Sequence, residues 1–323
     1  MSLQVQAFTP QSEGEWDSFC AKSFNGTMLH TRRFLNYHGD RFRDASAVLR
    51  QDGRLVGVFP AAASPEDPAL LSSHPGATYG GIVRDGWLSG TRMLEALEAL
   101  GAHYMSLGFR SLSYKAVPFI HQLKPAQDDL YALFRQGARR GRCELSCALD
   151  LGDVREYSER RRRGVKKALK SCAFSEDAAH LGDLWEVIAQ NLRSRHGAKP
   201  VHTAGELALL HGLFPQQIQL RCALVEGKVE AGVLFFNSPR SWHAQYIAAS
   251  PLAYEVSALD GIFDLAIGQA AAAGARYFDF GTSNEDSGRT LNEGLFRFKS
   301  EFGGAGVAHE TYELDLSGSG VIG

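Results

Sequence analysis

The chain has 323 residues, 44% of them hydrophobic and 22% charged, which is the make-up of an ordinary globular protein of about two domains. A formal net charge of -2 argues against whole-molecule attraction to nucleic acid. No apolar run reaches the roughly 18 residues of a membrane span, so no membrane span is expected. Five cysteines, an odd number without a Cys-x-x-Cys pair, argue for reduced thiols in a cytoplasmic compartment. The first residues lack the basic and apolar regions of a signal peptide.

Taken in order, the first half opens with a helix over 16–24. A hairpin follows, 45–49 and 55–59, around Gln51-Asp52-Gly53; Asp-Gly between apolar runs is a strong turn signal. A strand is expected around Tyr79. Residues 91–105 read as a helix, with Met93, Leu94, Leu97, Leu100 and Tyr104 at core spacing. Gly108 ends it. Then come a strand over 110–116, a helix over 129–137 and a strand over 143–151.

The second half repeats this plan. A helix over 184–195 precedes a hairpin, 221–225 and 229–236. A strand over 241–249 is centred on Tyr246, and a helix over 257–273 ends at Gly274. The strand ARYFDFG, a helix over 292–302 and a last strand complete it. Tyr79 precedes Gly108 by 29 residues and Tyr246 precedes Gly274 by 28, so the halves look duplicated. Antiparallel strands followed by strand–helix–strand crossovers give an α/β (α+β mixed) sheet flanked by helices. The domains divide as 1–155 and 156–323.

Between the halves lies ERRRRGVKKALKS at 159–171, seven cations within 160–170. A solvated connecting helix accounts for such a run. Arg163 and Lys167 are also candidates for anchoring an anionic or phosphate-bearing ligand.

The stretch 275–302 has the look of a site wall. Tyr277 and Asp279 face one side of a strand, Phe278 and Phe280 the other. A polar loop follows. Leu291, Leu295, Phe298 and Phe302 then mark a buried helical face, with Asn292 and Lys299 on a neighbouring one. No metal is expected: there is no His-Glu-x-x-His spacing, and Cys143 and Cys147 lack His or Cys partners. A serine-hydrolase elbow is missing too.

SHPGATYGG at 73–81, the basic run, NLRSRHGAKPVH at 191–202, AQYIAAS at 244–250, YFDFG at 277–281 and LNEGLFRFKSEFG at 291–303 together carry a resemblance. In order and spacing they resemble the Fem-type branch of the GNAT acyltransferase superfamily, the FemAB-like and BioF2-like tandem acetyltransferase-domain proteins. The resemblance covers nearly the whole chain. It implies two tandem GNAT-like domains and N-acyl transfer to an amine of a sugar, peptide or amino-acid-like molecule, with acyl-CoA or acetyl-CoA as the favoured donor. It also implies two splayed strands, 242–249 and 275–281, with Tyr246 and Asp279 near the wedge.

On that reading Asp279 orients or deprotonates the amine, and His243 is a second base candidate. Lys299 meets a phosphate, a carboxylate or the developing oxyanion, while Gln245 and Asn292 donate hydrogen bonds. Ser113 stands where Asp279 stands, so the first domain becomes a substrate platform in which Tyr79, Gly80 and Gly81 let backbone approach a ligand. One departure concerns the donor. The Arg/Gln-x-x-Gly-x-Gly/Ala loop that holds the coenzyme A diphosphate in many GNAT enzymes is replaced after Ala249 by SPLAYEVSA. Two alternatives therefore stay open: a tRNA-dependent aminoacyl transferase of the Fem type, and a non-catalytic ligand-binding protein.

Overall fold

The computed structural model describes residues 3–153, 156–196 and 202–317 and falls into two compact units. The first comprises Met1–Glu144, Asp286–Thr290 and Ala308–Gly323; the second comprises Leu145–Glu285 and Leu291–Val307. Among the described residues no helix is long and apolar enough to cross a membrane.

The first half contains β1 (Leu3–Ala7), α1 (Glu13–Lys22), α2 (Arg32–Leu35), β2 (Ala47–Gln51), β3 (Arg54–Phe59), β4 (Ala62–Ala63), β5 (Leu70–Ser72), β6 (Val83–Arg84), α3 (Thr91–Ser106), β7 (Ser111–Lys115), α4 (Asp128–Arg135) and β8 (Arg139–Asp150). Asp52 and Gly53 both take positive φ, 49° and 80°, the pair of left-handed residues that a two-residue hairpin turn requires. Strands β1, β2, β3 and β6 form one antiparallel sheet. Helix α3 buries Met93, Leu97, Leu100 and Tyr104 in the same core as Val56, Phe59 and Tyr114.

The expected strand around Tyr79 is not formed. Residues 73–82 make a loop pinned by Lys115, whose Nζ donates to the carbonyls of His74, Pro75 and Ala77 at 3.3, 3.2 and 2.9 Å. His74 and Gly81 turn the chain with positive φ, and Tyr79 lies between the rings of His30 and His121 instead of pairing in a ladder.

The second half contains α5 (Glu159–Ser171), β9 (Ala173–Ser175), α6 (Leu181–His196), α7 (Ala204–Leu213), β10 (Ile218–Val225), β11 (Lys228–Asn237), β12 (Ser241–Ala249), α8 (Pro251–Glu255), α9 (Ala258–Ala272), β13 (Tyr277–Thr282), β14 (Asn284–Glu285), β15 (Thr290–Leu291), α10 (Glu293–Ser300) and β16 (Ala305–Asp315). The second unit's sheet runs β8-β13-β12-β11-β10-β9. Phe263 of α9 packs with Phe278, Phe280 and Phe302 on one face. Leu184 of α6 fills the space over Gly232 on β11. Helix α5 lies against α9, close enough that a Cβ at Gly261 would fall 2.9 Å from that of Ala168.

The compact units are not the contiguous pieces 1–155 and 156–323. The part of β8 beyond Glu144 pairs with β13, Tyr277 opposite Asp150, inside the second unit. In the first unit β16 pairs with β7, Thr311 opposite Lys115. The last strand of each half thus completes the sheet of the other unit, because that is where its backbone donors and acceptors find partners.

Candidate active site

The site is built where β12 and β13 part. Their parallel pairing runs from Ser241 opposite Tyr277 to His243 opposite Asp279, and among the described residues it goes no further, although β12 continues to Ala249. Both strands carry an irregularity at that point. On β12, Ala244 faces Phe235 and Tyr246 faces Leu234, so Gln245 is the extra residue of a bulge. On β13 the register against β8 shifts between Asp279 and Thr282, and Gly281 there has φ +76°.

Asp279 is fully buried, on the opposite side of β13 from Phe278 and Phe280 as alternation requires. Its Oδ1 accepts the Ser146 hydroxyl of β8 and the Gly281 N–H, the latter at 2.9 Å. Its Oδ2 lies 2.7 Å from His243 Nδ1. Donors of this kind stand in for the water that a buried carboxylate has lost. Lys299 of α10 is 2% exposed, and its Nζ donates to the carbonyls of Gly281 and Thr282 at 2.9 and 2.7 Å. Burial lowers its pKa to about 8, against the pull of the nearby Asp279 charge. The acid and the amine thus hold the same turn, one by its N–H and the other by its carbonyls. The arrangement can accept a proton at His243 while Asp279 steadies the imidazolium.

The other expected residues are placed as follows. The bulge shifts the phase of β12, so it is Tyr246 rather than Gln245 that shares His243's face; their partners Leu234 and Phe236 are two apart on β11. The Tyr246 hydroxyl is 2.6 Å from His202 Nδ1, and burial pushes its pKa up to about 12. Asn292 caps α10: its Oδ1 accepts from Leu295 N at 3.0 Å and its Nδ2 donates to Glu285 at 3.0 Å. The buried face of α10 passes through Lys299 and on to Phe302, not through Leu291 and Leu295, which are exposed. Arg163 and Lys167 are exposed on α5. The neighbours that Gly80 and Gly81 admit are the protein's own: a Cβ at Gly80 would fall 1.8 Å from Ser73 O, and one at Gly81 2.6 Å from the Tyr114 hydroxyl. Residues 197–201 of the motif at 191–202 lie outside the described residues. Ser146 was not singled out in the sequence; only the register of β8 against β13 brings it to Asp279.

Residues 152–299 match the acetyltransferase (GNAT) domain family. That stretch, nearly all of it in the second unit, is therefore a GNAT acetyltransferase domain. Over nearly the whole chain the fold is that of the FemAB-like tandem proteins. It is similar to the crystal structure of FemX, with 13% identity, TM-score 0.69 and 97% of each chain covered. It is similar to L-PGS from Bacillus licheniformis, with 13% identity and TM-score 0.64 over 97% of this chain and 93% of that one. A tandem GNAT protein from the clavulanic acid biosynthesis pathway matches with 10% identity and TM-score 0.56 over 98% and 100%. At these identities the likeness is one of fold. No curated protein sequence matches the chain.

Proposed function

We propose that the chain transfers an acyl group from an acyl-CoA to the amine of a sugar, peptide or amino-acid-like acceptor, at the parting of β12 and β13. The observation that carries this reading is the His243–Asp279 pair at the last paired position of the two strands. An amine that arrives as ammonium must lose a proton before it attacks. His243 takes that proton at Nε2, since Nδ1 is engaged by Asp279. The amine nitrogen then bonds to the thioester carbon and the carbonyl pair moves to oxygen, where backbone N–H groups of β12 beyond His243 are the donors. Collapse breaks the C–S bond, and the thiolate takes the second amine proton. Asp279 acts through His243, and Lys299 through the turn at Gly281 and Thr282.

The diphosphate of such a donor does not fit the turn after Ala249. There α8 is capped by Ser250, whose hydroxyl also bonds the Glu230 carboxylate, and a carboxylate repels a diphosphate. That turn, with the exposed Arg160, Arg162, Arg163, Lys166, Lys167 and Lys170 of α5, favours a second reading, an aminoacyl-tRNA donor. Thermal unfolding with acetyl-CoA, longer acyl-CoAs and coenzyme A tests the first. A ligand at 100 times its Kd adds roughly 2.7 kcal/mol. A shift supports the acyl-CoA reading. No shift, with salt-sensitive binding of charged tRNA, selects the second, and neither response overturns both.

A further inference from the structure

We propose that Ser146 is a positioning residue for the proton acceptor of the second unit: its hydroxyl fixes the Asp279 carboxylate so that His243 is held as the Nδ1–H tautomer. The inference rests on the acyl-transfer reading for its consequence on rate, but not for its geometry. Ser146 is fully buried on β8, opposite Thr282 of β13. Nothing in a strand interior calls for a hydroxyl, and a buried one is costly unless it bonds. This one donates to Asp279 Oδ1.

The same oxygen receives the Gly281 N–H at 2.9 Å. Two donors on Oδ1, one from each side of β13's turn, set the plane of the carboxylate. Oδ2 is then aimed at His243 Nδ1, 2.7 Å away. An imidazole that donates from Nδ1 carries its lone pair on Nε2, which is the form able to take a proton there. Without the Ser146 hydroxyl, Oδ1 loses one of its donors, the hold on the carboxylate's plane loosens, and the Nε2–H tautomer gains ground. That tautomer cannot accept a proton at Nε2. Among the described residues of the second unit, the ionisable groups acting on the carboxylate include Lys299, held by the carbonyls of Gly281 and Thr282, and the buried thiol of Cys147.

The test uses the full chain with Ser146→Ala and Ser146→Thr. The imidazole nitrogens of His243 are read by 15N NMR without substrate, its signals assigned by their loss in His243→Asn. The expected result is the Nδ1–H tautomer in the parent chain, a shift toward Nε2–H in Ser146→Ala, and recovery in Ser146→Thr, which keeps a hydroxyl. Transfer should fall roughly tenfold in kcat with KM little changed in Ser146→Ala, and return in Ser146→Thr. An unchanged tautomer in a folded Ser146→Ala chain overturns the proposal. If His243→Asn transfers at the parent rate, it is the acyl-transfer reading that fails, whatever the tautomer result.

Discussion

A carboxylate removed from water keeps its charge only while its lone pairs are met, and Asp279 meets them from three strands: Ser146 on β8, Gly281 on its own strand and His243 on β12. Replacing Asp279 by Asn puts an N–H where an acceptor is needed and removes the charge that stabilises the imidazolium. Turnover in Asp279→Asn and in His243→Asn should fall about 100-fold or more with the fold retained by circular dichroism, and parent rates in both would remove the site assignment. Lys299 offers a second check. Its folded pKa of about 8 lies below the ordinary lysine value, so between pH 8 and about 10.4 the unfolded chain holds a proton that the folded chain has released. Stability therefore rises with pH across that window, by up to about 1.4 kcal/mol per pH unit from this group. Lys299→Met should flatten the rise while lowering stability at neutral pH by about 2 kcal/mol or more, because two buried carbonyls lose their donor. Lys115, also lowered to about 8, keeps its own contribution in both proteins, so the difference in chemical-denaturation slopes isolates Lys299. Asp279 and Lys299 stand out as candidates by residue type and local pattern, His243 and Tyr246 only through the Fem-type resemblance. Their division of labour is not legible there, because it depends on pairs such as Ser146 with Asp279, 133 positions apart.

Helices α5, α9 and α10 are joined by one arginine. Arg161, buried on α5, reaches Asp260 of α9 at 2.9 Å and Glu301, just past α10, at 3.0 Å, and its guanidinium lies 4.6 Å from the Phe298 ring centre. Removing it strands two acidic groups in or near the interior. Arg161→Ala should cost about 3–5 kcal/mol, read by urea unfolding. Asn292→Ala, which deletes the cap of α10, should cost about 1 kcal/mol, and Asn292→Asp should recover most of it. Much of this level is written locally. The Asp-Gly hairpin, the length of α3 and the facing of β13 follow from turn chemistry and period alone. The region around Tyr79 defeats that approach, since the partners that fold it into a loop are Lys115 and His121, far along the chain. Leu291 and Leu295 mislead for a related reason: the interior-facing place on α10 is taken by a lysine that satisfies two carbonyls, which apolar periodicity does not detect.

For the molecule as a whole, the repeat of spacings discloses two similar units but not which strand completes which. The hydrophobic alternation of β8 and β16 suits either sheet, so contiguous halves are the simplest reading of the sequence alone. Deleting residues 308–317 should therefore loosen the first unit, nearly 200 positions upstream. β7 loses the partner that pairs with it from Ser111 to Lys115, and amide exchange in β7 should rise by orders of magnitude while that of β11 and β12 changes little. Equal protection in the parent and truncated chains would count against the pairing.

The same exchange of strands bears on how the protein is made. Ribosomes emit the chain from the N-terminus at about 5–20 residues per second, and folding usually follows that order. Here the order is inverted. All of Leu145–Val307 has been synthesised before Ala308–Asp315 exist, so the second unit can close first, while the first waits with one edge of β7 open until its missing strand is translated.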